Sequence, residues 1–158
     1  MKGIDEVLEM LNQLLTNELT AINQYFVHAK MCKNWGYDRL AHKIRAESID
    51  EMKHADEVID RILFLEGVPN LQRLHKLQVG ETVKEQLESD KGLEDRAIKL
   101  LNEWIPKCRA LGDNATEDLM TRILVSEEQH LDWIETQLEL IRQVGEQNYL
   151  SQQIKKES

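Results

Sequence analysis

Apolar residues recur along this chain at the three-and-four spacing of a helix, and alternating strand-like runs are few. Leu8, Leu11, Leu15, Leu19, Ile22 and Phe26 make one stripe, which predicts a first helix from about Asp5 to Asn34, with Gly36 as its stop. A second amphipathic segment runs from about Asp38 to Leu65 and ends at Glu66-Gly67-Val68-Pro69. The stretch from about Gly67 to Glu81 lacks a helical pattern of its own. It is long for a loop in a compact domain. Extended, it reaches along a whole helix. It is therefore read as a crossover that returns the chain to the end where the second helix began.

Thr82-x-x-Glu85 is a capping box that opens a third helix, closed by Gly112. Pro106 is expected to kink or shorten its last turns. A fourth helix spans about Asn114 to Val144 and stops at Gly145. The tail from Glu146 to about Ile154 is a candidate short fifth helix, and the final Lys-Lys-Glu-Ser is expected to fray. Short turns within two helix pairs and one long connection between them describe an all-α four-helix bundle of the ferritin-like connectivity. The 158 residues are read as one domain, 1–158.

Bulk composition narrows the partners. Net charge is −9 with no Lys/Arg stripe, so a phosphate backbone is excluded and cations fit better. No apolar run approaches the length of a membrane span. Asp5, Glu6 and Glu9 interrupt any secretory h-region, which gives a cytoplasmic expectation. Cys32 and Cys108 are too few and too distant for a zinc site or a disulfide framework. On antiparallel helices they fall at opposite ends of the bundle.

The candidate chemistry lies mid-helix. Glu51-x-x-His54 and Glu127-x-x-His130 each place a carboxylate and an imidazole on one helix face, and Glu18 and Glu94 occupy the middles of the other two helices. One Glu from each of two helices and one Glu-x-x-His from each of the others is the known ligand plan of di-iron carboxylate bundles. Glu18 and Glu94, Glu51 and Glu127, and His54 and His130 are all 76 positions apart (94 − 18, 127 − 51, 130 − 54). A pseudo-twofold axis would therefore bring the six together. Four carboxylates balance two divalent ions, and imidazole with carboxylate suits iron or manganese better than calcium or magnesium.

The strings NELTAINQYFVHAKM (Asn17 to Met31), ESIDEMKHADEVIDRILFLEGVPNLQ (Glu47 to Gln72) and SEEQHLDWIETQLELI (Ser126 to Ile141) resemble bacterioferritins. The resemblance implies two irons per subunit, with Glu18 and Glu94 as terminal ligands, Glu51 and Glu127 bridging, and His54 and His130 capping. It implies oxidation of Fe(II) by O2 or peroxide, and mineral storage in a shell of twenty-four subunits, alone or mixed with a second bacterioferritin subunit. It also implies an electron-donor ferredoxin for iron release. Met52 matches the ligand of a haem b shared by a subunit pair, with Leu19, Ile22, Asn23, Phe26, Ile49 and Ile59 around it. Tyr25 and Trp133 match aromatics beside the iron centre that supply electrons, and core packing is the other reading of each. Arg45 replaces a tyrosine common in relatives, and Ala46 replaces a histidine that works with Asp50 at an inner-surface iron site. Two other functions share the bundle: a ferritin-like oxidase without storage, and a non-enzymatic helical adaptor.

Overall fold

The computed structural model describes residues 1–155 and contains five helices. They are α1 (Asp5–Asn34), α2 (Asp38–Phe64), α3 (Val83–Ala110), α4 (Asn114–Val144) and α5 (Glu146–Ser151). No strand occurs among the described residues. The fifth helix is shorter than expected, and the last three residues of the chain, part of the segment expected to fray, lie outside the described residues. Among the described residues no helix is long and apolar enough to cross a membrane.

α1 packs chiefly on α2, and α3 on α4, with α1–α3 and α2–α4 contacts closing the bundle. Along α1, Tyr25 meets Glu94 and Cys32 meets Gln86, so α1 and α3 run antiparallel. The α1–α2 and α3–α4 turns repeat one another. Gly36 (φ 88°) and Gly112 (φ 81°) each take the left-handed conformation after a helix. In each turn the next amide reaches back to a cysteine carbonyl, Tyr37 to Cys32 and Asp113 to Cys108, both at 2.9 Å. The end of α2 differs: Glu66, at φ 63°, takes the left-handed position and not Gly67. A Cβ at Gly67 would lie 2.6 Å from Leu8 Cδ2, the end of a flexible side chain, so a larger residue there needs Leu8 to shift.

Pro106 does not shorten α3, which runs on to Ala110. A proline forfeits one intrahelical bond, and Trp104 and Cys108, both buried in the core, hold the turn in place from either side. The capping box forms with a shifted second bond: Thr82 Oγ1 accepts from Glu85 N at 3.2 Å, while Glu85 Oε2 accepts from Glu81 N at 2.9 Å. Asp113 caps α4 by accepting from Thr116 N at 3.0 Å, and Arg61 of α2 donates to it at 2.8 Å.

The crossover lies parallel to α1, held by a polar stripe on that helix. Asn12 Oδ1 accepts from Asn70 N (2.8 Å), Thr20 Oγ1 from His75 N (3.0 Å), Gln24 Oε1 from Gln78 N (3.0 Å) and His28 Nε2 from Gly80 N (3.1 Å). These side chains satisfy four N–H groups of a segment that has no strand partner. Gln24 Nε2 and His28 Nδ1 also both lie 2.9 Å from Asp90 Oδ1, which ties the crossover through α1 to α3.

Two apolar clusters divide the interior. One gathers Leu11, Leu14, Ile62, Leu101, Trp104 and Met120. The other gathers Tyr25, Leu40, Ile44, Leu87, Ile134 and Ile141. Cys108 belongs to the first and Cys32 to the second, and both thiols are free.

Candidate metal centre

Between the two apolar clusters lies a polar layer made by the middles of the four long helices. Glu18, Glu51, Glu94, Glu127 and His130 are buried and His54 is half-buried. Each helix presents its ligand-type residue inward because its neighbours on the same stripe are core residues: Leu14, Leu15 and Tyr25 around Glu18, and Ile123 and Ile134 around Glu127.

The six expected residues come together. Ligand atoms of Glu18, Glu51, His54 and Glu127 lie within 4.8 Å of one another, and so do those of Glu51, Glu94 and His130. Glu51 belongs to both groups, and Glu18 and Glu94 to one each. His54 Nδ1 is 3.2 Å from Glu127 Oε1 and 3.5 Å from both Glu18 Oε2 and Glu51 Oε2. His130 Nδ1 is 2.9 Å from Glu94 Oε1.

The hydrogen bonding of this layer is incomplete. Glu18 Oε2, Glu51 Oε2, His54 Nδ1, Glu94 Oε2 and Glu127 Oε1 are buried and have no well-aligned hydrogen-bond partner. Buried polar atoms are nearly always paired, and a cluster of four unpaired acids is costly without a counter-charge. Burial, reinforced by the charge of Glu127, raises the carboxyl of Glu18 to about 7. Burial and the charge of Glu51 raise Glu127 to about 7. Burial also pushes Glu51 and Glu94 well above the usual carboxylate range. Burial alone would lower His54, but its contacts with Glu127, Glu18 and Glu51 outweigh that and raise it. The protein thus holds its acids partly protonated at neutral pH. A divalent cation would displace those protons and supply the missing charge.

Neighbouring residues extend the centre. Tyr25, matched in sequence to an aromatic beside the iron centre, sits in the layer and donates to Glu94 across the bundle. Its ring meets that of His130 edge-on at 5.1 Å, and Trp133 stacks on His130 at 6.2 Å. Glu47 escaped sequence reasoning. It is buried one turn before Glu51, its Oε2 is 3.6 Å from His130 Nδ1, and Lys43 neutralises it at 2.8 Å. Its four-residue spacing from Glu51 was the available signal. Asp90, one turn before Glu94, escaped in the same way.

Met52 is not part of this layer. It points out of the bundle, 55% exposed, on the α1–α2 face with Phe26 and Ile49, which are 48% and 43% exposed. Arg45 lies over the Phe26 ring at 6.0 Å on that same face. Ala46 and Asp50 are exposed, and Asp50 faces Lys53 at 4.0 Å.

The comparisons with known proteins agree with this geometry. The ferritin-like domain family matches residues 8–144. The bacterioferritin of Mycobacterium bovis is 49% identical over 152 residues, 96% of each chain. The bacterioferritin of Streptomyces coelicolor is 49% identical over 151 residues, 96% of this chain and 90% of that one. The bacterioferritin of Brucella melitensis is 47% identical over 149 residues, 94% of this chain and 92% of the relative. An identity near one half, sustained along almost the full length and over a bundle whose six mid-helix acids and imidazoles converge, means that the chain belongs to the bacterioferritin family.

Proposed function

We propose that this protein stores iron and oxidises it on the way in. Ferrous iron is the substrate, and Glu18, Glu51, His54, Glu94, Glu127 and His130 form the ferroxidase centre. The observation that carries this reading is the convergence of four buried carboxylates and two imidazoles, with one oxygen of each carboxylate and Nδ1 of His54 left without a hydrogen-bond partner.

Glu18 and His54 serve one ion and Glu94 and His130 the other, with Glu51 and Glu127 shared. Binding two Fe(II) expels the protons that burial keeps on the carboxyls. Each ion then gives up one electron, and the pair reduces O2 with two protons to peroxide, or peroxide with two protons to water. Tyr25 and Trp133, packed on His130, are placed to lend electrons through that contact. Ferric product moves inward to a mineral. The acidic charge of the chain favours cation accumulation within a closed shell.

The exposed Met52–Phe26–Ile49 face suits a partner surface. Two Met52 thioethers, one from each of two subunits, would hold a haem b whose chemistry is electron transfer. Leu19, Ile22 and Ile59 are half-buried on the same helix pair and would line it together with exposed Asn23. A shell of twenty-four such chains, one type or two, and a ferredoxin that reduces the stored iron complete the reading, which is cytoplasmic.

Stopped-flow oxidation of Fe(II) by Glu18→Ala and Glu127→Ala tests the centre. Both should lose the fast phase, and an unchanged initial rate in either overturns the assignment. Light scattering tests the shell: twenty-four chains of 18.5 kDa give about 444 kDa, and a dimer or monomer removes the storage half of the proposal.

A further inference from the structure

A narrow passage between α1, α3 and the crossover reaches in to the metal centre. Glu18, Glu51, Glu94 and Glu127 line its inner part, and Asn17, His75 and Arg96 line its outer part. The space within it is about 10 Å³. That is roughly the room one water needs.

His75 sits across the outer part, secured twice to α1. Its backbone N–H donates to Thr20 Oγ1 at 3.0 Å, and its ring Nε2 is 2.9 Å from Asn17 Oδ1. This contact turns the amide of Asn17 so that Nδ2 is left buried and without a hydrogen-bond partner, next to Glu18 in sequence and in the lining. Arg96 of α3 and Arg73 of the crossover are exposed around it. Burial and the charges of Arg96 and Arg73 lower His75 from its ordinary range. Facing an amide oxygen, which can only accept, the ring donates its Nε2–H to Asn17 Oδ1.

Charge and size act together here. The chain carries −9 overall, yet Arg96 lines the outer part of its most acidic site, and the charge of Arg73 also reaches His75 there. A hydrated divalent ion is far larger than a one-water passage, and it would meet cationic groups and the donor end of an amide before it met a carboxylate. O2, H2O2 and water are neutral and small.

We propose that His75 is a gate residue which, with Asn17 and Arg96, bars divalent cations from this outer passage and leaves it to neutral, water-sized molecules. The proposal rests on the reading of the six-residue centre as the ferrous-iron site. Ferrous iron then reaches the centre by another route, and the oxidant has one of its own.

The test is anaerobic stopped-flow binding of Co(II) to the assembled, iron-free protein, followed by d–d absorption, so that no turnover is involved. His75→Ala and Arg96→Gln should each raise the binding rate about threefold or more, and the double variant more than either. His75→Gln, which can still reach Asn17, should stay near the parent rate. The alanine variant keeps the main-chain bond to Thr20, so the crossover stays seated, and an unchanged thermal midpoint verifies this. Equal rates in all variants overturn the proposal. A slower rate in His75→Ala also overturns it, because His75 would then assist cations along this passage. Failure of the parent protein to bind Co(II) at all would instead remove the underlying reading of the centre, and the gate with it.

Discussion

The Tyr25 hydroxyl donates to Oε1 of Glu94, the same oxygen that lies 2.9 Å from Nδ1 of His130. One buried carboxylate oxygen is thus shared by a phenol from α1 and an imidazole from α4, and it links three helices in the middle of the bundle. Tyr25→Phe keeps the ring packing against His130 and removes only the donor. It should lower the stability of the metal-free protein by about 1–2 kcal/mol, as expected for a buried hydrogen bond to an acid. Urea denaturation of the two metal-free proteins measures this, and equal midpoints would show that the bond contributes nothing.

The raised carboxyls make stability depend on pH with a definite sign. In the folded state Glu18 and Glu127 titrate at about 7 against 4.5 for an ordinary glutamate. Between these values the folded state binds more protons than the unfolded one, so stability falls as pH rises. His54, raised by its three carboxylate contacts, acts in the same direction above its ordinary 6.5. The metal-free protein should therefore melt lower at pH 7.5 than at pH 5.5. Added Co(II) or Mn(II) should raise the midpoint more at pH 7.5, where fewer protons must be expelled. Thermal scans at the two pH values, with and without metal, decide it. A metal-induced rise that is larger at pH 5.5 would contradict the assignment.

Gln24 joins the crossover to α3, accepting from Gln78 N at 3.0 Å and donating to Asp90 at 2.9 Å. Gln24→Leu preserves the volume and abandons both partners in a buried setting. A loss of about 2–3 kcal/mol is expected. Amide exchange should also quicken in the segment around Gln78, detectable by mass spectrometry, while the middle of α4 stays protected.

Met52 is mostly exposed and carries no contact with the metal layer. Met52→Leu should leave the folding stability of the subunit within about 0.5 kcal/mol. It should abolish the haem absorption band and leave the fast phase of Fe(II) oxidation intact. A Soret band of unchanged position and intensity would remove Met52 as a haem ligand.

Much of the fold was legible because helical periodicity, glycine stops and a capping box are local signals. The expected bounds of α1 and α4 agree with the structure, and the separation of Cys32 from Cys108 followed from antiparallel direction alone. Pro106 did not shorten α3, because a local rule about one lost backbone bond ignores the burial of Trp104 and Cys108 beside it. The stop of α2 at Glu66-Gly67-Val68-Pro69 was legible, but not that Glu66 takes the left-handed position, since a glutamate carries no local signal for that conformation.

By itself the sequence determined which six residues could meet, since a repeat of 76 positions on two helix pairs leaves little freedom in how their ligand-type side chains align. Only the tertiary structure decided what surrounds them. That Tyr25 serves Glu94, that Glu47 stands behind His130, and that His75 rests on Asn17 at the mouth of the passage depend on contacts between residues 58 to 83 positions apart. Such contacts are set by how whole helices pack, and no periodicity along one strand of sequence encodes the distance between side chains on different elements.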